Sequence, residues 1–357
     1  MKAFLEPYYG GSHKRFADAV INCDPDNFVL FTLPGRHWKW RMHGAAVSLA
    51  QQVLDSGIDF THIMATSLID LALLKSIISP KLPKCRYTIY FHENQLCYPW
   101  SQNDNDPTER KDLHYGFINF TSALVADEVV FNSNYNKNSF FNALKPFLKA
   151  FPDENLDGSI GEIINKSKVI YPGFEPVSIV REVHNDIPVI LWNHRWEYDK
   201  NPDEFFKALF KLHDKGVKFK LAVAGEERVR SPEIFAIAKN KLKNEIILWG
   251  YLESREQYCE LLSRCDLLPV TSHHEFFGIS VLEAASAGVI PLLPERLSYP
   301  ELFPIRDFRE LYYPDGGLTG FIDDSINNIN KFNLAGIISQ SKIFAIQNNK
   351  CGSNFFN

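Results

Sequence analysis

Short apolar runs rich in β-branched and aromatic residues alternate along the chain with longer amphipathic stretches, the pattern of strand–helix–strand units around a mostly parallel sheet. In the first half, Lys2–Leu5, Phe28–Leu33, Phe60–Ala65, Tyr87–Phe91, Glu128–Phe131 and Lys168–Ile170 predict strands. Helices are expected between them over His13–Ile21, Leu68–Ile78, His114–Ala126 and Tyr135–Leu144. A polar, proline-containing stretch from Tyr171 to Asp186 then interrupts the rhythm as an interdomain linker would. The pattern restarts with strands at Val189–Trp192, Phe219–Ala224, Ile246–Trp249, Asp266–Pro269 and Val289–Leu293, and helices near Pro202–His213, Pro232–Asn240, Arg255–Ser263 and Ser280–Ala287. The expected organisation is α/β: a doubly wound domain over 1–172, a second over 187–335, and a tail over 336–357 that packs back on the first domain. Two such domains would turn the carboxyl ends of their strands toward a shared cleft, where loops and helix N-termini can hold a phosphorylated ligand.

Composition narrows the classes of function. With 357 residues the chain exceeds what one core usually supports, and 45% hydrophobic with 23% charged residues is globular rather than disordered. A net charge of -5 leaves no global attraction to phosphate, so contact with nucleic acid must use a local basic patch, and non-specific DNA binding is not expected. The six cysteines form no C-x-x-C pair and no zinc-type spacing with histidine, which suits free thiols in a reducing compartment. An acidic residue and a proline interrupt the first seven residues, and no segment reaches membrane-spanning length, so a cytoplasmic protein without membrane contact is expected.

Five segments carry side chains suited to chemistry. Glu6-Pro7-Tyr8-Tyr9-Gly10-Gly11-Ser12-His13-Lys14 follows the first strand, and Gly10 and Gly11 can let backbone N–H groups approach an anion at a helix N-terminus. A tight strand-to-helix turn is the alternative; His13 and Lys14 beside it favour binding. Arg195 and Lys200 follow the first strand of the second domain, spaced to set two cations on one diphosphate, or to lie at the surface beside Glu197 and Asp199. Glu275-Phe276-Phe277-Gly278-Ile279-Ser280-Val281-Leu282-Glu283 places Glu275 in a loop and Glu283 in the following helix. Carboxylates accept hydrogen bonds from vicinal hydroxyls, so the pair can grip both ends of a nucleotide-sugar, with Phe277, Gly278 and Ile279 lining the donor.

Phe91-His92-Glu93-Asn94-Gln95 clusters polar side chains at a strand end, as a cleft would, although a lone histidine is more often a satisfied core residue. Arg36-His37-Trp38-Lys39-Trp40-Arg41 interleaves cations with aromatics, a composition that grips phosphates and stacks on bases. A helix start that turns its tryptophans inward is the competing reading. No metal is expected: His273, His274 and Glu275 are too close in sequence to face one ion, and no third ligand stands at metal-site spacing.

Together these residues resemble the retaining GT-B glycosyltransferases, whose second domain carries an Arg/Lys pair and an E-x7-E segment like Glu275 to Glu283. The resemblance is closer to the tRNA-queuosine mannosyltransferase family. It rests on Glu6 to Lys14, Thr32-Leu33-Pro34, Phe91 to Gln95, Tyr115-Gly116, Phe131-Asn132-Ser133 and Trp192 to Glu197, and spans roughly residues 1 to 300. It implies a GT-B fold of two Rossmann-like domains, GDP-mannose as donor, no cofactor, and queuosine in the anticodon of aspartate tRNA as acceptor. Arg195, Lys200, Glu275 and His92 are then the catalytic set, with Gly10, Gly11, Phe277, Gly278, Ile279 and Glu283 on the donor. His13, Lys14, Trp38, Lys39, Trp40, Arg41, Asn94 and Gln95 are expected on the acceptor side. Two other classes remain open: a glycosyltransferase acting on an envelope lipid or polysaccharide, and a nucleotide- and RNA-binding module without catalysis.

Overall fold

The structure is a computed structural model that describes residues 1–99, 112–153, 156–178, 184–226 and 231–345. These divide into two compact units, Met1–Pro172 and Gly173–Ala345. Within the expected linker, Phe174 and Val177 are buried in the core of the second unit, and the Val177 N–H donates to Ser286 Oγ at 3.0 Å. The second unit therefore begins at Gly173. Its end takes in part of the expected tail: Ile337 and Phe344 belong to the same core, and Gln340 donates to the Leu302 carbonyl at 2.7 Å. Residues 346–357 lie outside the described residues.

The first unit carries strands β1 (Lys2–Tyr9), β2 (Phe28–Pro34), β3 (His62–Thr66), β4 (Arg86–Phe91), β5 (Glu128–Phe131) and β6 (Ser167–Val169). They form one parallel sheet in the order β2-β1-β3-β4-β5-β6. Both faces are covered, and side-chain alternation sorts the strand residues between them. Leu5, Ile63, Ile89 and Val129 join a large core with Leu49, Leu74 and Phe140. Phe4, Met64, Tyr90 and Val130 meet Phe16 and Val20 of helix Gly11–Cys23 on the other face.

β1 runs four residues past the expected Leu5, so Glu6 to Tyr9 are strand rather than turn. Pro7 has no N–H to give the ladder, and the register with β2 shifts between Glu6 and Tyr9. Helix Trp38–Asp55, absent from the expected set, buries Ala45, Ala46, Leu49, Ala50 and Val53 against the sheet.

The second unit carries β7 (Val189–Trp192), β8 (Lys220–Ala224), β9 (Ile246–Gly250), β10 (Leu267–Pro269), β11 (Ile290–Pro294) and β12 (Tyr312–Tyr313). Its sheet is also parallel, in the order β12-β11-β10-β7-β8-β9. The chain winds outward one way from β7 to β9, then returns to place β10 on the other side of β7. This makes the carboxyl ends of β7 and β10 a topological switch point, where the two connections diverge and leave a crevice.

Candidate active site

The loop after β7 and the loop after β10 are tied together at that switch point. Short helix Tyr198–Lys200 follows β7, and Asn201, at φ 51°, caps helix Pro202–Asp214, whose first position is a proline. Asn tolerates this left-handed backbone, and its Oδ1 accepts the Glu204 N–H at 3.4 Å. From the other loop, Thr271 Oγ donates to the carbonyls of Lys200 and Asn201 at 2.9 and 3.0 Å. The His273 N–H returns to the Asp199 carbonyl at 2.8 Å.

Inside this frame Lys200 is buried, only 9% of its side chain exposed. Its ammonium donates to the His274 carbonyl at 2.8 Å and sits 3.3 Å from both Glu275 Oε2 and Asp199 Oδ2. Arg195 is 51% exposed and spans Glu197 at 2.7 Å and buried Asp199 at 3.5 Å. The two cations thus share Asp199 and differ in setting: one is fixed from below, the other is at the surface.

Burial alone would push the Glu275 carboxyl up, but Lys200 and the Phe277 N–H, 3.3 Å from Oε1, bring it below the ordinary carboxylate range. It is ionised at neutral pH. His194 is buried, and burial together with Lys200 holds it down to about 4, so its ring is neutral; Nδ1 lies 3.2 Å from Ser280 Oγ.

Gly278 takes φ 103° at the N-terminus of helix Ile279–Ser286, and a Cβ there would stand 3.2 Å from Leu302 Cδ1. Ile279 opens that helix, while Phe277 is packed inside against Phe344, its N–H turned to Glu275 and its carbonyl accepting from Ser298 Oγ at 2.8 Å. Glu283 is buried one helical turn on and accepts from Arg255 Nη1 at 2.7 Å; Arg255 Nη2 donates to the Glu175 carbonyl at 3.0 Å. Arg255 and Asp199 are the functional candidates missed in the sequence. Neither spacing nor composition marks a partner 28 residues before Glu283.

In the first unit the expected residues separate into an inner and an outer group. Gly10 faces Gly35 so closely that a Cβ on Gly35 would lie 3.0 Å from Gly10 Cα, which assigns Gly10 to packing between two loops. Gly11, at φ 54°, has open space around it and begins a helix that no side chain caps. His13 is buried: Nδ1 lies 3.3 Å from Glu6 Oε1, and Nε2 3.6 Å from Glu93 Oε2. Burial would push His13 down, yet the two carboxylates raise it to about 10. His92, packed against the rings of His13, Phe16 and Tyr90, is held well below the ordinary histidine value by burial and by His13.

Asn94 is fully buried and bonds Asn136, Ser139 and the Cys97 N–H, and Gln95 is buried with its N–H on Asn119. The Asn94 side chain braces the loop from within and Gln95 is buried beside it, which corrects the expectation that they meet an acceptor; His13, also buried, is corrected on the same ground. Lys14 is exposed and paired with Asp18. In helix Trp38–Asp55, Trp38 packs on Tyr115, Lys39 lies over Trp38, and Arg41 donates to the Pro34 carbonyl at 3.1 Å. Trp40 is 64% exposed, its ring resting over Gly44. Beside this helix is a cavity of about 370 Å³ lined by His43, Asp70, Leu113, His114, Phe117, Ile118 and Phe151. Among the described residues one trio of metal-ligating side chains converges, Glu6, His13 and His92. No helix among them is long and apolar enough to cross a membrane.

Two parallel α/β units with an ionised carboxylate, a buried lysine and a helix N-terminus at the switch point define a glycosyltransferase of the GT-B class. A model for glycosyl transferases group 1 matches residues 179–304. Solved structures share the fold: Anabaena HepE with UDP and glucose has a TM-score of 0.69 at 14% identity, covering 99% of this chain and 98% of that one. Sucrose-phosphate synthase from Thermosynechococcus elongatus has 0.69 at 10% identity, covering 100% and 95%.

The family itself is given by the sequence. A model for the tRNA-queuosine alpha-mannosyltransferase N-terminal region matches residues 2–174. The Drosophila melanogaster tRNA-queuosine alpha-mannosyltransferase is 37% identical over 327 residues, 88% of this chain and 84% of that protein. This chain belongs to the tRNA-queuosine alpha-mannosyltransferase family. A shorter likeness, 31% over 108 residues, connects 30% of the chain to 28% of the Xanthomonas campestris GDP-mannose:cellobiosyl-diphosphopolyprenol alpha-mannosyltransferase.

Proposed function

We propose that this enzyme transfers mannose from GDP-mannose, with retention, to a cyclopentene hydroxyl of queuosine in the anticodon of aspartate tRNA. The observation that carries the transfer chemistry is Lys200, buried and held 3.3 Å from ionised Glu275 at the switch point of the second sheet. A cation fixed by carbonyl and carboxylate acceptors needs no reorganisation when charge builds on a departing diphosphate, and such preorganised charge is worth most at that moment. Exposed Arg195 adds a guanidinium that can move onto the phosphates in bidentate fashion. Lys200 and Arg195 would serve where other enzymes use a divalent cation on the diphosphate.

Glu275 would accept from sugar hydroxyls beside the N-terminus of helix Ile279–Ser286, and Glu283, oriented by Arg255, from the ribose. His92 would orient the sugar, and the Gly11 turn would offer N–H groups to the phosphates. The departing phosphate oxygen takes the acceptor proton, so no dedicated general base is assigned. For the acceptor, exposed Trp40 supplies a stacking surface and half-buried Lys39 and Arg41 supply cations beside an aromatic-lined cavity. The mannosyl group and the tRNA-queuosine acceptor in the family relative's name, and the GDP-mannose in that of the Xanthomonas protein, support this choice.

The test incubates the enzyme with GDP-mannose and queuosine-containing tRNA and weighs the digested nucleosides. A gain of one hexose on queuosine is expected, and none from tRNA lacking queuosine. Hexose transfer to polyprenyl-linked acceptors with unmodified queuosine would replace this reading with the envelope alternative.

A further inference from the structure

We propose that Glu6, His13 and His92 form a divalent-metal site of the zinc class in the first unit, with Glu93 as the outer partner of His13. The three side chains come from the carboxyl half of β1, the first turn of helix Gly11–Cys23 and the end of β4. Each offers one ligand atom, all within 4.8 Å of one another.

Four features point to an ion. Glu6 has no solvent exposure, and its carboxylate is held on both sides: Oε1 accepts the Tyr8 N–H at 2.9 Å, and Oε2 accepts the Thr66 hydroxyl at 3.0 Å. A ligating carboxylate is braced by outer hydrogen bonds of this kind. Oε1 lies 3.3 Å from His13 Nδ1, close to the edge of a tetrahedron around zinc with bonds of about 2.0–2.1 Å. Next, the other nitrogen of His13 faces Glu93 Oε2 at 3.6 Å, the carboxylate–histidine arrangement that orients a metal-bound imidazole. Third, His92 Nε2 is shut off from solvent and has no hydrogen-bond partner, a cost that native proteins rarely leave unpaid unless a water or ion answers it. Last, an ion takes the place of the His13 proton, and the two neutral imidazoles and two carboxylates then carry two negative charges that one divalent ion balances.

Two nitrogens and one oxygen suit zinc, cobalt or iron, whereas magnesium and calcium prefer oxygen alone. The ion would clamp three chain segments and fix the ring of His92. It is not the counter-charge of the diphosphate, which the proposed mechanism gives to Lys200 and Arg195, and metal binding is read apart from transfer.

The test uses the full chain. Protein purified without chelator is assayed for bound metal by mass spectrometry, then stripped and titrated with Co2+ while its visible ligand-field absorption is followed. About one Co2+ per chain is expected, displaced by Zn2+. His92→Ala should abolish the band, and Glu93→Gln, which keeps the size of a side chain 21% exposed, should weaken binding about 10–100-fold in protein shown folded by circular dichroism. A wild-type protein that retains no metal and develops no band overturns the proposal. So does a band that persists unchanged in folded His92→Ala, because the ion would then sit elsewhere.

Discussion

Asp199 stands next to Lys200 in the chain and reads there as a surface neighbour, yet it is buried and touches both cations of the site. At this scale the sequence shows which residue types are present and hides their partners, because Lys200 and Glu275 meet across 75 positions of chain. Arg255 is the clearest case. Truncating it leaves buried Glu283 without its guanidinium, and breaking a buried pair is costly. Since Arg255 is partly exposed, Arg255→Ala is expected to cost about 1–3 kcal/mol in denaturant unfolding. An unchanged midpoint would show that water replaces the guanidinium without loss.

His62 gives a pH prediction: burial first, then repulsion from Arg86 and Lys2, holds it down to about 4 against an ordinary value of 6.5. Protonation therefore favours the unfolded chain. Its contribution is fully present above pH 6.5 and is lost as the pH falls toward 4, amounting to about 3 kcal/mol at most. Stability should fall less steeply over this window in His62→Asn than in the parent, and parallel pH profiles would contradict the assignment.

At the scale of elements, legibility followed how much of each element is buried. Strands β3, β4, β5 and β7 were readable because buried apolar residues fill them, and their limits fall within a residue or two of the expected ones. Helix Trp38–Asp55 was not. It opens with cations and aromatics, follows His37 in a left-handed conformation, and has no side-chain cap, so the usual start signals are missing. Strand β12 has only two residues, too short for any periodic signal.

Gly278 is an element-scale constraint, because the helix carrying Ile279 and Glu283 begins at its positive φ. Gly278→Ala forces a Cβ into that conformation beside Leu302 and is expected to cost about 1–3 kcal/mol. Donor affinity should fall with it, as measured by GDP-mannose titration. A variant of unchanged stability and affinity would remove the helix start from the donor site.

Over the whole molecule, the sequence disclosed two α/β units and the end of the first at Pro172 but drew the second too short, since Phe174, Val177 and Ile337 are committed to a core that only the folded chain defines. The net charge of -5 makes any RNA contact local. Affinity for tRNA should therefore fall with salt at a log–log slope of about 0.7 per phosphate on single-stranded segments, and Lys39→Ala with Arg41→Ala should reduce that slope by about one to two contacts. A slope unaltered by the double substitution would move the RNA surface away from helix Trp38–Asp55.

The central claim is that a buried, fixed cation at the β7–β10 switch point stabilises the departing diphosphate. Its most direct measurement is single-turnover hexose transfer to queuosine-containing tRNA by Lys200→Ala, with circular dichroism showing a folded protein. The rate is predicted to fall about 10²–10³-fold, as when one preorganised donor is removed from a transition state. Transfer at the parent rate in the folded variant would contradict the account.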